Sequence, residues 1–164
     1  MAIRLILRYP DARLSQPAEP VTSFDPALRQ LADDLLQAMR AAPGVGITAP
    51  HIGVPQRLVV LELPDEKPRT YVNPQILSAS QQTARHTEGS VSMPGATEEV
   101  ERPATIRLRY QDLDGAVHEE DADGFHAVCM QHEIDQLDGI FWLKRLSRLK
   151  RERLIRRWQK QSAG

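Results

Sequence analysis

Apolar residues recur at helical spacing in three parts of the chain. The first stripe follows Asp25 and Pro26, which suit the cap and first turn of a helix, and it ends at the break formed by Pro43 and Gly44. A second helix is predicted over residues 123–137 and a third over residues 147–161. The first stripe consists of Phe24, Leu28, Leu31, Leu35 and Met39, and the second helix is expected to carry Phe125, Val128 or Cys129, His132 and Gln136 on one face.

Strand-like patterns fill the part of the chain between the first two helices. Four strands are predicted, over residues 57–63, 70–77, 105–110 and 116–118. Pro74 interrupts the second strand and would place it at a sheet edge, and Asp114 with Gly115 forms a turn between the last two. This order predicts an α+β fold with mainly antiparallel sheet, in a single domain over residues 1–164.

Composition describes an ordinary globular chain. Hydrophobic residues make up 41% and charged residues 26%, and the net charge of −1 excludes a strong overall preference for polyanions. The single cysteine, Cys129, excludes an internal disulfide and favours a reducing compartment. The apolar start at residues 1–7 is too short for a signal peptide or a membrane span, so a cytoplasmic protein without a membrane partner is expected.

The strongest chemical signal lies on the predicted second helix. His132-Glu133-Ile134-Asp135-Gln136 differs by one residue from His-Glu-x-x-His. In that motif two histidines one helical turn apart bind zinc, and the glutamate takes the proton of the metal-bound water. Such a fragment alone is more often structural than catalytic, so the rest of the sequence has to decide between the two interpretations.

Three ordered segments resemble the motifs of the peptide deformylase family. Residues 44–53 (GVGITAPHIG) resemble Gly-x-Gly-x-Ala-Ala-x-Gln, residues 88–92 (EGSVS) resemble Glu-Gly-Cys-Leu-Ser, and residues 131–139 (QHEIDQLDG) resemble Gln-His-Glu-x-Asp-His-Leu-x-Gly. The opening residues 6–14 (ILRYPDARL) also resemble the family's start. Three motifs in order are far more specific than any one alone, and the chain is identified as a member of this family.

The resemblance implies a role for each matching residue. Deformylases remove the formyl group from the N-terminal formyl-methionine of new bacterial proteins. The family's metal is held by the cysteine of the second motif and both histidines of the third, which are Ser90, His132 and Gln136 here. The catalytic glutamate falls on Glu133.

Further positions of the motifs are implied to contact the substrate. The oxyanion donors of the family fall on the His51 side chain and the Val91 N–H. Glu88 and Arg102 resemble the family's buried ion pair behind the site. The substrate-binding positions are Gly44, Gly46, Ile47 and Gly89, where glycines allow the backbone to pass close to a ligand.

Two of the three metal positions carry poor ligands. A serine hydroxyl stays neutral near pH 7 and a glutamine offers a neutral carbonyl, whereas thiolate and imidazole suit zinc or ferrous iron. Without a metal, water keeps a pKa of about 15.7 rather than about 7. The sequence therefore predicts a deformylase-like protein with little or no deformylase activity and no tightly bound zinc, iron or nickel, which still binds formyl-methionyl or methionyl peptide N-termini.

An active metal-dependent peptide deformylase, or another amide hydrolase with an unusual metal site, is the alternative. His132, Glu133 and the glycine loop support it, and His51 with His132 and waters is a candidate weak site. Cys129 is expected to be a core side chain rather than a displaced ligand. The remaining histidines, His86, His118 and His126, are expected to be structural or exposed.

Charge is concentrated at the C-terminal end. Residues 144–164 carry nine basic side chains and one acidic side chain. The resemblance implies ribosome contact, since the C-terminal helix of some bacterial deformylases docks near the exit tunnel, and the charge of residues 147–161 suits ribosomal RNA. A solvated basic face neutralised by the acidic body is the equally weighted alternative.

Overall fold

Three α-helices and seven β-strands form the part of the chain that the computed structural model describes, residues 3–163. The helices are α1 (Pro26–Ala41), α2 (Gly124–Leu137) and α3 (Arg148–Ala163). The strands are β1 (Gly46–Thr48), β2 (Leu58–Leu61), β3 (Arg69–Ala79), β4 (Thr83–Glu88), β5 (Glu98–Pro103), β6 (Thr105–Gln111) and β7 (Val117–Asp123). Short 3-10 helices lie at Ala12–Ser15, Ala49–Ile52 and Trp142–Arg145.

The strands form two antiparallel sheets, which confirms the α+β prediction. The larger sheet has the order β1-β2-β3-β6-β7, and β4 pairs with β5 in a separate two-stranded sheet. The four predicted strands correspond to β2, β3, β6 and β7, and the three helices begin or end within two residues of their predicted bounds. The sequence pattern missed β1, which has only three residues, and β4 and β5, whose sequences are almost entirely polar.

The prediction that Pro74 marks an edge strand is wrong. β3 lies inside the larger sheet, between β2 and β6. The register between β3 and β6 shifts between Val72 and Gln75, and Asn73 has a φ of 51°. This irregularity removes Pro74 from the ladder, so its missing N–H leaves no strand hydrogen bond unmade.

The larger sheet separates α1 from α2. In α1, the Asp25 carboxylate caps the helix by accepting the Leu28 N–H at 3.0 Å. Alternate residues of β2 point to opposite faces, so that Leu58 and Val60 pack with α1 while Val59 and Leu61 pack with α2. α2 is buried from Ala127 to Leu137, so it is the central helix of the molecule.

The basic helix α3 packs on a third apolar cluster through Leu154 and Trp158. The cluster also holds Met93 and Trp142, and the Trp158 indole N–H donates to the Pro94 carbonyl at 2.8 Å. α3 therefore holds the segment that follows Ser90 in place. Within residues 3–163, every helix is too short or too polar to cross a bilayer.

Candidate active site

A cleft of about 450 Å³ lies between β1, the segment after β4 and the buried helix α2. The predicted catalytic residues His51, Val91 and Glu133 line this cleft. It is also lined by Ser90 and His132 of the predicted metal positions and by Gly44, Gly46 and Gly89 of the predicted substrate positions. The fold thus brings together residues that lie as far apart in sequence as Gly44 and Glu133.

Two predicted site residues do not line the cleft. Ile47 is fully buried in the apolar cluster beneath α1, so its side chain belongs to the core. Gln136 is 2% exposed, and its amide Nε2 donates to the Leu14 carbonyl at 2.7 Å. The position implied as the third metal ligand therefore makes a structural contact to the N-terminal part of the chain.

His132 is oriented by a carboxylate behind it. Its Nδ1 lies 2.9 Å from Glu88 Oε1, so Nδ1 carries the proton that this bond needs and Nε2 is left for the cleft. Burial lowers the pKa of His132, but the Glu133 and Glu88 carboxylates outweigh it, and the pKa is raised above its ordinary value. Burial likewise opposes the ionised form of Glu88, but its bonds to His132 and Arg102 bring its pKa below the ordinary value.

A buried ion network supports this pair, which confirms the predicted contact between Glu88 and Arg102. The Arg102 guanidinium donates to both Glu88 oxygens, at 2.6 Å and 2.9 Å, and to Asp135 at 2.9 Å. Asp135 also accepts two hydrogen bonds from Arg145. The network joins α2 to β4 and β5 and pairs each of these buried charges with a partner of opposite sign.

His51 is held in a single tautomer. Its Nδ1 accepts the Thr48 backbone N–H at 2.9 Å and lies 2.9 Å from the Thr48 hydroxyl, so the ring proton sits on Nε2. Nε2 is buried and has no hydrogen-bond partner in the described residues. Burial, with a contribution from the positive charge of His132, lowers the pKa of His51 to about 3, and the ring is therefore a neutral donor.

Glu133 is a buried carboxylate with an unused oxygen. Its Oε1 has no partner within the described residues, and burial raises its pKa to about 7. A Cβ on Gly46 would lie 2.6 Å from Glu133 Oε2, so the absence of a side chain on Gly46 lets β1 approach the carboxylate this closely. His51 and Glu133 thus give the cleft one unpaired donor and one unpaired acceptor.

Ser90 also lines the cleft, in the segment after β4. Its Oγ accepts the Ser92 N–H at 3.1 Å, and its hydroxyl proton remains free to donate. The next residue, Val91, packs against the segment that precedes β1, since a Cβ on Gly44 would lie 2.7 Å from Val91 Cγ1.

The apolar part of the cleft comes from residues to which the sequence assigned no function. Phe125, Val128 and Cys129 of α2 line it, together with residues 94–97. The helical spacing of Phe125, Val128 and His132 was a signal for the first group. Cys129 is 7% exposed and contributes to both the core and the cleft.

The other histidines lie away from the cleft lining. His126 bonds the Tyr71 hydroxyl, His118 bonds Asp112 at the surface, and His86 lies on β4 opposite Val100. Among residues 3–163 no group of three His, Cys, Asp or Glu side chains is arranged to hold a metal ion.

Known proteins resemble this chain over almost its full length. Residues 3–152 match the family described as polypeptide deformylase. A relative in Brucella melitensis, named peptide deformylase-like, is 65% identical and the match covers 98% of each chain. A peptide deformylase of Phenylobacterium zucineum is 49% identical, over 98% of this chain and 97% of the relative.

The fold agrees with a solved relative as well. The crystal structure of a peptide deformylase from Legionella pneumophila superimposes with a TM-score of 0.92 at 38% identity, covering 99% of this chain and 96% of that one. The sequence matches, the fold and the cleft all lead to one assignment. This chain belongs to the polypeptide deformylase family.

Proposed function

We propose that this chain keeps the ligand-binding cleft of its family and binds formyl-methionyl peptide N-termini, but holds no catalytic metal tightly and hydrolyses the formyl group little or not at all. The observation that carries this proposal is the contact of Gln136 with the Leu14 carbonyl. Its amide is committed to the protein backbone at the position where the family resemblance places an imidazole ligand.

The remaining donors do not fit a catalytic metal. Ser90 presents a neutral hydroxyl, and His132 alone keeps the ligand type that a zinc or ferrous ion prefers. For His51 to bind a metal through Nε2, the ring proton would have to move to Nδ1. That move would break the hydrogen bond that Nδ1 accepts from the Thr48 N–H, so His51 is a poor replacement ligand.

A formamide suits the two unpaired groups of the cleft. The formyl oxygen is an acceptor for the His51 Nε2–H, and the amide N–H is a donor for Glu133. Binding would therefore satisfy two buried polar groups that otherwise lack partners. The apolar residues Phe125, Val128 and Cys129 suit a thioether side chain such as methionine.

The test combines metal analysis with binding. Protein purified without added metal is expected to contain far less than one equivalent of zinc, iron or nickel, and to bind a formyl-methionyl peptide in calorimetry in the presence of a chelator. The double variant Ser90→Cys, Gln136→His restores the family's ligand types, and it is expected to bind zinc near one equivalent and to release formate from the peptide.

The opposite result would favour the alternative, a metal-dependent hydrolase with an unusual site. Its signature is near-stoichiometric metal in the unmodified protein and formate release that rises with added zinc, nickel or iron. The same turnover has to disappear in Glu133→Ala, since an activity that survives this change does not come from the cleft. Such a result would end the proposal of a metal-poor binding protein.

A further inference from the structure

The buried Glu88–His132 pair has a second chemical use besides orienting a metal ligand. A carboxylate on His Nδ1 fixes the ring so that Nε2 faces the reacting atoms, and this arrangement occurs behind metal ions and behind serine nucleophiles alike. The Glu88–His132 distance is 2.9 Å, and both residues line the cleft together with Ser90. A hydroxyl in place of a thiolate removes a ligand but leaves an alcohol that an imidazole base can activate.

We propose that Ser90, His132 and Glu88 form a metal-independent acyl-transfer site for small activated esters. Ser90 is the nucleophile, His132 is the general base and acid, and Glu88 positions His132. This activity goes beyond the proposed binding of peptide N-termini and uses a different reaction from the family's hydrolysis.

The oxyanion donors for such a reaction are present in the same cleft. The His51 Nε2–H is a fixed donor without a partner, and Val91 supplies the backbone N–H directly after the nucleophile. The cleft thus holds two imidazoles of opposite function. In its neutral form His132 presents a nitrogen lone pair at Nε2, whereas His51 presents an N–H. Acyl transfer needs one of each.

The proposed reaction requires the Ser90 side chain to rotate toward His132. In this conformation Ser90 Oγ accepts the Ser92 N–H at 3.1 Å and makes no hydrogen bond to His132. A serine side chain has three staggered positions about χ1, and in free enzymes the nucleophile–base hydrogen bond often forms only when substrate binds.

The proposed reaction has two balanced steps. In the first, Ser90 Oγ attacks the ester carbonyl carbon and its proton passes to His132 Nε2, while His51 and Val91 stabilise the oxyanion. The bond from carbon to the alcohol oxygen then breaks, His132 returns the proton to that oxygen, and an acyl ester of Ser90 remains. In the second, a water molecule attacks this ester with His132 again as base, and the carboxylic acid leaves as Ser90 regains its proton.

Esters rather than formamides are the expected substrates. An alkoxide or phenolate leaves far more easily than an amine, which must be protonated as the bond breaks. Without a metal to polarise the carbonyl, the site is therefore expected to handle an activated ester and to leave a formyl-peptide intact.

The experiment uses chelator-treated protein and p-nitrophenyl acetate. The expected result is release of p-nitrophenol, together with an acetyl adduct that peptide mapping by mass spectrometry places on Ser90. Ser90→Ala is expected to lose at least about tenfold in rate and all of the adduct. Ser92→Ala is the matched control, because Ser92 is fully buried on the same segment and its Oγ has no partner within the described residues; its rate and adduct are expected to equal those of the unmodified protein.

A second variant guards against a folding defect in Ser90→Ala. Ser90→Cys in chelator keeps a nucleophile in the cleft that His132 lines and is expected to form a thioester adduct. Equal rates in Ser90→Ala and the unmodified protein, or an adduct on another residue, would overturn the proposal. Formyl-peptide binding is measured on the same preparation so that the two proposals are tested separately. Binding without an acetyl adduct refutes only the acyl-transfer site. An adduct without binding refutes only the proposed binding of formyl-methionyl peptides.

Discussion

At the scale of one residue, Glu133 lowers the stability of the folded protein at high pH because its buried carboxyl group becomes charged there. The residue is 4% exposed, its Oε1 has no partner in the described part of the chain, and burial raises its pKa from 4.5 to about 7. The folded protein therefore holds a proton on this group more tightly than the unfolded chain does. The protonated Glu133 therefore contributes fully to the stability of the fold below pH 4.5, its unfolded pKa. This contribution is lost as the pH rises through about 7 and the buried group becomes charged.

The variant Glu133→Gln is expected to be more stable than the unmodified protein at about pH 8, because it removes the buried charge. One pKa unit corresponds to about 1.4 kcal/mol, so the gain should reach up to about 3 kcal/mol at that pH and shrink toward pH 4.5. Urea unfolding at both pH values measures it. The exposed Glu66 supplies the control Glu66→Gln, and equal pH dependence of the two variants would contradict the argument.

The thiol of Cys129 is expected to react slowly with disulfide reagents in the folded protein. Burial raises its pKa, with further contributions from the Glu133 and Glu88 carboxylates, and the thiolate is the form that reacts. A disulfide reagent at about pH 8 should modify the native protein far more slowly than the urea-unfolded protein. Native and unfolded chains that react equally fast would show that the cleft does not suppress the thiolate.

At the scale of elements, α2 depends on the ion network behind the cleft. Arg102 is the only guanidinium among the described residues that bonds both Glu88 and Asp135, and all three side chains are almost fully buried. Loss of its charge leaves buried Glu88 with His132 alone and Asp135 with Arg145 alone, and losing a buried cation in this way costs far more than the pairing itself contributes.

The variant Arg102→Met is therefore expected to lose roughly 3–5 kcal/mol of unfolding free energy. Chemical denaturation provides the measurement. Arg107 is the matched control, because it pairs with Asp121 on exposed strands, and Arg107→Met should cost less than about 1 kcal/mol. Similar losses in the two variants would show that the buried network is no stronger than a surface pair.

The sequence predicts elements well where hydrophobic periodicity is regular, as in α1, and poorly where it is absent. β4 and β5 carry charged and polar side chains on most positions, and their pairing comes from tertiary structure. The edge assignment of β3 failed because a bulge next to Pro74 leaves no pattern in the sequence.

The residues of the cleft also divide into those that the sequence predicts and those whose contacts depend on tertiary structure. The resemblance to the family's motifs identified His51, Ser90, His132 and Glu133, all of which line it. It could not reveal that Gln136 bonds the Leu14 carbonyl, because that contact joins residues 122 positions apart. The tautomers of the two histidines also depend on such contacts, one to a neighbouring backbone N–H and one to a distant carboxylate.

At the scale of the whole molecule, the basic residues concentrated at the C-terminal end form a positively charged surface on α3. Leu154 and Trp158 face the core, and the exposed positions of α3 carry Arg148, Lys150, Arg153, Arg156, Arg157 and Lys160. Deleting α3 would remove part of the third apolar cluster, so charge reversal is the cleaner way to ask whether this surface contacts ribosomal RNA.

The triple variant Arg153→Glu, Arg156→Glu, Arg157→Glu is expected to weaken co-sedimentation with ribosomes and to flatten its dependence on salt, because each lost phosphate contact lowers the slope by about one. Reversal of Lys67 and Arg85, which are exposed on the body of the protein, is the control. Sedimentation that is equally weak at low salt for all forms would identify α3 as a solvated basic face.

His51 carries its ring proton on Nε2 and His132 carries one on Nδ1, so NMR spectroscopy can detect what binds in the cleft. In protein enriched in nitrogen-15, chemical shifts separate a neutral ring protonated at Nε2 from one protonated at Nδ1, so each imidazole has a distinct signature without an extrinsic probe. A ligand carbonyl should shift the Nε2–H signal of His51, whereas a metal ion should displace only the Nε2 signal of His132. One spectrum would therefore distinguish carbonyl recognition from metal coordination in the native protein.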